Sequence, residues 1–189
     1  ENLATGGTSG RQAAFAVSNS GALAYQTGNV SGSRITWLDR SGNEVGTVAG
    51  LPASSSSLAL SRDGRHLALS TQAPGDIWIA DLTRTVVSRF TFDPAHEAMP
   101  IWSPDGRRVV FYSNRGGTFG LYEKSASGGG EDRLLVSSAT PPSPTDWSAD
   151  GRFILYDALN AGTDDVWVLD LAGERKATPL LHGSFQENV

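Results

Sequence analysis

The 189-residue sequence contains no cysteine, which excludes disulfides, zinc sites with cysteine ligands and thiol nucleophiles. Positive charge is also scarce, because 15 Lys and Arg against 20 Asp and Glu leave a net charge of −5. A duplex nucleic-acid binder needs a basic stripe, so we expect no nucleic-acid partner. No apolar run approaches the roughly 18 residues of a spanning helix, and no signal peptide is recognisable. We therefore expect no membrane insertion by this chain.

Motifs for catalysis are missing as well. The chain has no Gly-x-Ser-x-Gly nucleophile elbow, no kinase catalytic loop and no Walker phosphate loop. Its glycine-rich pieces at 6–10 and 128–130 lack a following lysine and helix, so they are typical of a linker and a hairpin turn. Of the three histidines, only His96 has an adjacent carboxylate, on Glu97. The sequence predicts no catalytic residue, no metal and no cofactor.

A four-residue turn recurs four times. It begins with serine and ends with glycine, and the two residues between them are small or polar. The copies lie at 18–21, 61–64, 103–106 and 148–151, and their glycines are 43, 42 and 45 residues apart. Each copy precedes a short run of strand-forming residues. A repeat of about 40 to 50 residues built from short strands is typical of a propeller blade.

A second signal returns in each repeat as an aromatic residue in a later strand. These residues are Trp37, Trp78, Tyr122 and Trp167, spaced by 41, 44 and 45. A more polar fourth strand follows each of them, and four strands make one blade. We predict an all-β propeller with blades at 13–50, 51–93, 94–138 and 139–182. Residues 1–12 then form a linker or the tail of a preceding blade, and residues 183–189 lead towards a next one.

The repeated residues have structural explanations. Glycine adopts positive φ in a tight turn without steric cost, and an Asp side chain bonds back to the backbone. We therefore interpret the turn residues as structural: Gly21, Asp63, Gly64, Asp105, Gly106, Asp150 and Gly151. We also expect the recurring aromatics to fill the interior between blades: Trp37, Trp78, Trp102, Tyr122, Trp147 and Trp167.

The amino-acid pattern of these repeats resembles that of a known protein family. The string WSPDGRRVVF at 102–111, followed by Asn114-Arg115-Gly116-Gly117 and Leu121-Tyr122, is similar to the TolB-like, WD-type (PD-repeat) bacterial propeller pattern. The resemblance covers residues 13 to about 182. It implies a periplasmic or other extracytoplasmic location, as in envelope proteins or the C-terminal sensor region of multidomain serine/threonine kinases. Similar repeats form non-catalytic gating propellers of prolyl-oligopeptidase-like enzymes.

Candidate ligand contacts follow from propeller geometry. Loops joining second to third strands, and those joining one blade to the next, share one face, which we call the loop face. Its richest polar cluster is Asp93, His96 and Glu97 in one loop with Asn114 and Arg115 in the next. Loops on a rigid scaffold commonly bind ligands. The alternative is that this cluster only braces neighbouring blades.

Together these features favour a non-catalytic module that binds or senses a protein partner or small ligand at the channel mouth. One alternative is the propeller of an enzyme, either a hydrolase gating domain or a metal-dependent lyase. Another is a purely structural repeat. Because unpaired sheet edges invite association, we expect four blades to belong to a larger ring or to a ring completed by a homodimer.

Overall fold

The computed structural model describes residues 15–17, 23–27, 34–52, 55–72, 74–160, 163–173 and 175–181. These residues form sixteen strands in four antiparallel sheets, each with its four strands in sequence order. The predicted all-β propeller fold with four-stranded blades is confirmed.

The strand bounds are as follows. Sheet 1 contains β1 (Phe15–Val17), β2 (Leu23–Thr27), β3 (Arg34–Leu38) and β4 (Glu44–Thr47). Sheet 2 contains β5 (Ser55–Leu60), β6 (His66–Thr71), β7 (Ile77–Asp81) and β8 (Val86–Arg89). Sheet 3 contains β9 (Glu97–Trp102), β10 (Arg108–Ser113), β11 (Phe119–Ser125) and β12 (Arg133–Ser138). Sheet 4 contains β13 (Ser143–Trp147), β14 (Phe153–Asn160), β15 (Thr163–Asp170) and β16 (Ala177–Leu181).

The core lies between successive sheets. Three apolar clusters fill the spaces between sheets 1 and 2, sheets 2 and 3, and sheets 3 and 4. The first strands β1, β5, β9 and β13 are neighbours in turn, so they form the inner side of the array. The second strands β6 and β10 are buried on both faces along their centres, so their central residues form continuous apolar runs and do not alternate with polar ones.

The first strands of sheets 2, 3 and 4 each carry one extra residue relative to the strand they pair with. Such a bulge bends a strand and re-aims its side chains. In β9 the bulge places Met99 at φ 58, a left-handed conformation that is unusual for a non-glycine residue in a strand. The Met99 N–H donates to Ser57 Oγ of sheet 2 at 3.2 Å, which stabilises this backbone conformation.

Trp37 differs from the other recurring aromatics. It lies opposite Ala24, in the strand position that Ile79 occupies in sheet 2, whereas Trp78 lies opposite Leu69. Side chains alternate along a strand, so this shift of one residue turns Trp37 to the other face. Trp37 and Trp78 therefore meet in the same space between sheets 1 and 2. Tyr122 and Trp167 each contact the preceding sheet, as Trp78 does.

Candidate functional site

The turn joining the first two strands of a blade is built identically in sheets 2, 3 and 4. In sheet 3, Ser103 Oγ donates to Asp105 Oδ1 at 2.6 Å, and the Arg107 N–H donates to the same oxygen at 3.0 Å. The Arg108 N–H donates to Ser103 Oγ at 2.9 Å. The corresponding distances around Asp63 and Asp150 agree within 0.1 Å. These three turns define the turn face, opposite the loop face.

The glycines of these turns need positive φ. Gly64, Gly106 and Gly151 have φ of 72, 68 and 76. The serine hydrogen bond lowers the pKa of each turn aspartate, so the carboxylates remain charged. The structure thus places six of the predicted turn residues in a backbone role, and Gly21 lies outside the described residues.

The loop face contains the five predicted ligand contacts, and a buried ion pair lies at its centre. Arg115 Nη2 is paired with Glu97 Oε1, and the Glu97 side chain is fully buried. Arg115 Nη1 is paired with Asp132 Oδ2 at 2.7 Å. Its Nε donates to Ser113 Oγ at 3.1 Å and lies 4.0 Å from Asp93 Oδ2. We call Glu97, Arg115, Asp132 and Lys124 the brace.

The brace lies between sheets 2 and 3. The Arg115 guanidinium is 4.4 Å from the centre of the Tyr122 ring, in an arrangement that favours a cation. Lys124 Nζ binds Asp132 Oδ1 at 2.7 Å and lies 5.6 Å from the ring of Phe90, which belongs to sheet 2. Long cationic side chains here cover aromatic surface while their charged heads are paired.

Burial dominates the electrostatics of Glu97. It raises the pKa of this carboxyl above the ordinary value of 4.5, against the opposing influence of the Thr91 hydroxyl and Arg115. Glu97 Oε2 is buried and forms no hydrogen bond of normal geometry with the described residues. For Arg115, burial favours the neutral form, but the Asp132 hydrogen bond and the Glu97 charge raise its pKa overall. The guanidinium therefore stays charged.

Asp93, His96 and Asn114 lie next to the brace on the loop face. Asp93 Oδ1 accepts a hydrogen bond from the Ala95 N–H at 2.9 Å, so this side chain shapes its own loop. Asn114 Oδ1 accepts from the His96 N–H at 2.8 Å, which joins the two loops. The His96 ring meets Tyr112 edge-on, with 5.8 Å between the ring centres. Asp93 and His96 are half-buried and reach the surface.

A close approach by sheet 2 fixes this corner. The Glu97 N–H donates to the carbonyl of Gly75 at 2.9 Å. A Cβ at Gly75 would lie 2.5 Å from the Thr71 carbonyl oxygen and 2.9 Å from His96 Cδ2. Only glycine fits there, because the first of these atoms is backbone and cannot move aside.

The structure thus brings all five predicted residues together, but with two different environments. Glu97 and Arg115 are held by ion pairs with other protein groups, whereas Asp93, His96 and Asn114 are partly exposed. The sequence did not predict Asp132 and Lys124, because Lys124 lies within β11 and Asp132 directly precedes β12, and neither position has a recurring spacing relative to Arg115. The described residues contain no group of three or more metal-ligating side chains. They also contain no helix long and apolar enough to cross a membrane.

Solved structures of known proteins share this fold. A protein assigned as TolB from Agrobacterium tumefaciens has a TM-score of 0.77 at 22% identity, over 90% of this chain and 65% of that one. TolB from Acinetobacter baumannii has a TM-score of 0.74 at 21% identity, over 92% and 44%. An oligogalacturonate lyase in complex with manganese has a TM-score of 0.64 at 16% identity, over 92% and 54%. At these identities the likeness concerns the fold alone.

A relative found by sequence is an uncharacterized protein of Agrobacterium fabrum, 31% identical over 72 residues, which is 38% of this chain and 24% of the relative. The chain therefore spans less than two thirds of the length of these proteins. Residues 14–188 match the family described as the TolB beta propeller domain. With almost the whole sequence matched and four blades in the fold, the chain belongs to the TolB β-propeller domain family.

Proposed function

We propose that this chain is a non-catalytic binding module that holds a protein partner or small ligand at the loop face. The observation that carries the proposal is the placement of Asp93 and His96, two accessible polar side chains on loops that the buried brace keeps in position. Binding groups fixed by their surroundings lose little freedom when a ligand arrives. The hydrogen bonds of the turn face show no such difference between blades, because the three described turns repeat one geometry.

The location and context of the module are part of the same proposal. The family resemblance supports an extracytoplasmic location in the cell envelope. That the chain is the C-terminal sensor region of a serine/threonine kinase remains a prediction, which rests on the amino-acid pattern of the repeats. The likeness to the manganese-bound lyase is one of fold, and no described residue cluster favours a lyase or a hydrolase gating role.

A complete ring is proposed as well, made either by further blades of a longer protein or by a second copy of this chain. The matched TolB chains are longer than this one, which agrees with further blades. Light scattering coupled to size exclusion distinguishes the two cases. The mass of two chains supports the homodimer, and the mass of one chain contradicts it.

Photo-crosslinking tests the loop-face proposal. Benzoylphenylalanine replaces Thr118, an exposed position in the loop that follows Arg115. The variant is mixed with an envelope extract and irradiated. The matched control carries the same group at Thr83, an exposed turn residue in sheet 2. We expect a discrete adduct from position 118 and none from position 83, and we expect Asp93→Asn to reduce its yield. Equal labelling from both positions, or none from position 118, contradicts the proposal.

A further inference from the structure

Phe92 is the most exposed large hydrophobic side chain in the part of the chain that the structure describes, with an exposed fraction of 69%. It follows β8, the fourth and outermost strand of sheet 2. The Arg89 guanidinium lies 5.2 Å from the centre of the Phe92 ring. Arg89 is held in turn by Asp76 Oδ1 at 2.6 Å and by the Thr91 carbonyl at 2.8 Å. An aromatic ring that is both exposed and held in position is suited to anchor a protein interface.

A groove beside Phe92 opens between sheets 2 and 3. Its volume is about 190 Å³, and its opposite wall is the β11–β12 hairpin at 126–128. Ile79 and Phe90, the buried members of its lining, belong to the apolar cluster between these two sheets. The groove is therefore continuous with the established interface between sheets 2 and 3. It is smaller than most small-molecule sites, which occupy about 300–1,000 Å³, but it has room for one apolar side chain.

The strand that borders the groove ends its sheet, and no described strand pairs with its outer edge. All four residues of β8 pair with β7 in unbroken register. In β4, β12 and β16 one extra residue interrupts the register: Val45, Leu135 and Leu180. In sheet 2 the irregularity comes only after the strand, where the Phe90 and Thr91 N–H groups both donate to the Ile77 carbonyl. Because bulges hinder pairing at sheet edges, β8 offers the longest regular edge of the four described outer strands.

The hydrogen bonds of sheet 2 show which backbone groups of β8 point outward. The Phe90 N–H donates to a β7 carbonyl at 2.8 Å. Antiparallel pairing alternates along a strand, so Ser88 also bonds to β7, whereas Val87 and Arg89 direct their N–H and C=O groups away from it. These outward groups can pair with an added strand. Side chains of an added strand alternate between its two faces, so one of them lies beside Ser88, which lines the groove.

The charges at the two ends of β8 are positive on their outer side. Arg84 Nε lies 3.7 Å from Asp81 Oδ2, but the arginine side chain is 81% exposed and the aspartate side chain 23%. Arg89 and Asp76 show the same order, with 39% against 23%. A segment lying along this edge therefore meets guanidinium groups before carboxylates. Such charge complementarity favours acidic residues in the segment.

We propose that the outer edge of β8 and the adjoining groove bind an extended, acidic segment of a partner protein by strand addition. The segment continues sheet 2 through main-chain hydrogen bonds, and one large apolar side chain fills the groove against Phe90 and Phe92. In this mode of recognition the main chain supplies affinity and the side-chain pocket supplies selectivity. The site lies on the outer side of the sheets, so it goes beyond the function proposed for the loop face.

The test begins with a phage-displayed library of random linear peptides, selected on the full chain and counter-selected on Phe92→Ser. We expect the enriched peptides to combine acidic residues with a large apolar one. A synthetic copy of the most enriched peptide is then titrated by fluorescence anisotropy. Phe92→Ser should weaken its binding about tenfold or more, because aromatic anchors dominate interface affinity. N-methylation of the peptide backbone should also weaken binding, because it removes main-chain donors that strand addition needs.

The matched control is Val45→Ser, since Val45 is a large hydrophobic residue of the outer strand β4 and is 64% exposed. We expect it to leave the affinity within about twofold, as for surface sites generally. Arg84→Glu should weaken binding, and added salt should shrink that difference. The proposal is overturned if no peptide is enriched, or if the two serine variants weaken binding equally or not at all. A wild-type dimer that Phe92→Ser dissociates would make a second copy the occupant and would also overturn it.

Discussion

The turn face and the loop face of this propeller are built from the same repeat, yet the turns are alike in the described blades and the loops differ from one blade to the next. Three turns on one face repeat a set of hydrogen bonds to within 0.1 Å. On the other face, the connection between β6 and β7 depends on Gly75, whereas that between β10 and β11 carries Arg115. The repeated turns stabilise the fold, and the loops are free to differ between blades.

The largest effect should come from breaking the brace. Arg115→Met leaves the fully buried Glu97 carboxylate without its cation, so we expect a loss of about 3–5 kcal/mol in the free energy of unfolding. Urea denaturation measures it. The double variant Glu97→Gln/Arg115→Met should recover part of the loss, because no uncompensated charge remains. A loss below about 1 kcal/mol would show that Arg115 is not buried as described.

A turn substitution should have a smaller effect. Gly106→Ala forces alanine into φ 68, with no atom within 4 Å to clash, so only backbone strain acts. We expect a loss of about 1–2 kcal/mol in thermal or urea unfolding. The control Gly129→Ala lies in a hairpin without positive φ, and it should be neutral. Equal losses at both positions would contradict the role given to the turn.

Acid should affect the two faces in opposite directions. The folded pKa of Glu97 is raised by burial, so the folded carboxyl binds its proton more tightly than the unfolded one. Stability from Glu97 therefore rises as pH falls towards 4.5 and is lost as pH rises through the folded pKa. The pKa values of Asp63, Asp105 and Asp150 are lowered by their serine hydrogen bonds, so their contribution fades below about 3.8.

Urea midpoints measured from about pH 7 down to pH 3 test this. Glu97→Gln should remove the gain on mild acidification and leave the loss at lower pH unchanged. A variant that loses both responses, or neither, would show that Glu97 does not control the first one.

The smallest effect on stability is expected for Asp93→Asn. The amide oxygen can still accept the Ala95 N–H, and the 4.0 Å approach to Arg115 is long. We expect a change within about 0.5 kcal/mol in urea unfolding, as for surface sites generally. A loss comparable to that of Arg115→Met would make Asp93 part of the brace and remove it from the proposed binding surface.

Much of the fold follows from the sequence because the turn repeats at a nearly constant spacing. Such spacing does not predict on which side of its sheet a side chain lies. Trp37 is 41 residues before Trp78, but loop lengths differ between blades, and a shift of one strand position sends it to the other side of its sheet.

The candidate site was predicted in part for a similar reason. The sequence placed Glu97 in a loop, whereas it is the first residue of β9; Arg115 follows β10, which pairs with β9, so both residues still lie at the same end of sheet 3. Asp132 and Lys124 join them across a strand hairpin, and Arg62 meets Trp147 across an intervening sheet. Contacts of this kind depend on side-chain reach and leave no periodic pattern in the chain.

The hydrogen bond from Arg62 to Trp147 also bears on how the molecule comes apart. In a linear array each repeat touches only its neighbours, so the last unit can fray without disturbing units further in. This bond spans 85 positions and joins the second sheet directly to the fourth. Opening of the fourth sheet therefore also releases a contact of the second, which couples local unfolding across the array and makes the transition more cooperative than nearest-neighbour stacking alone would give.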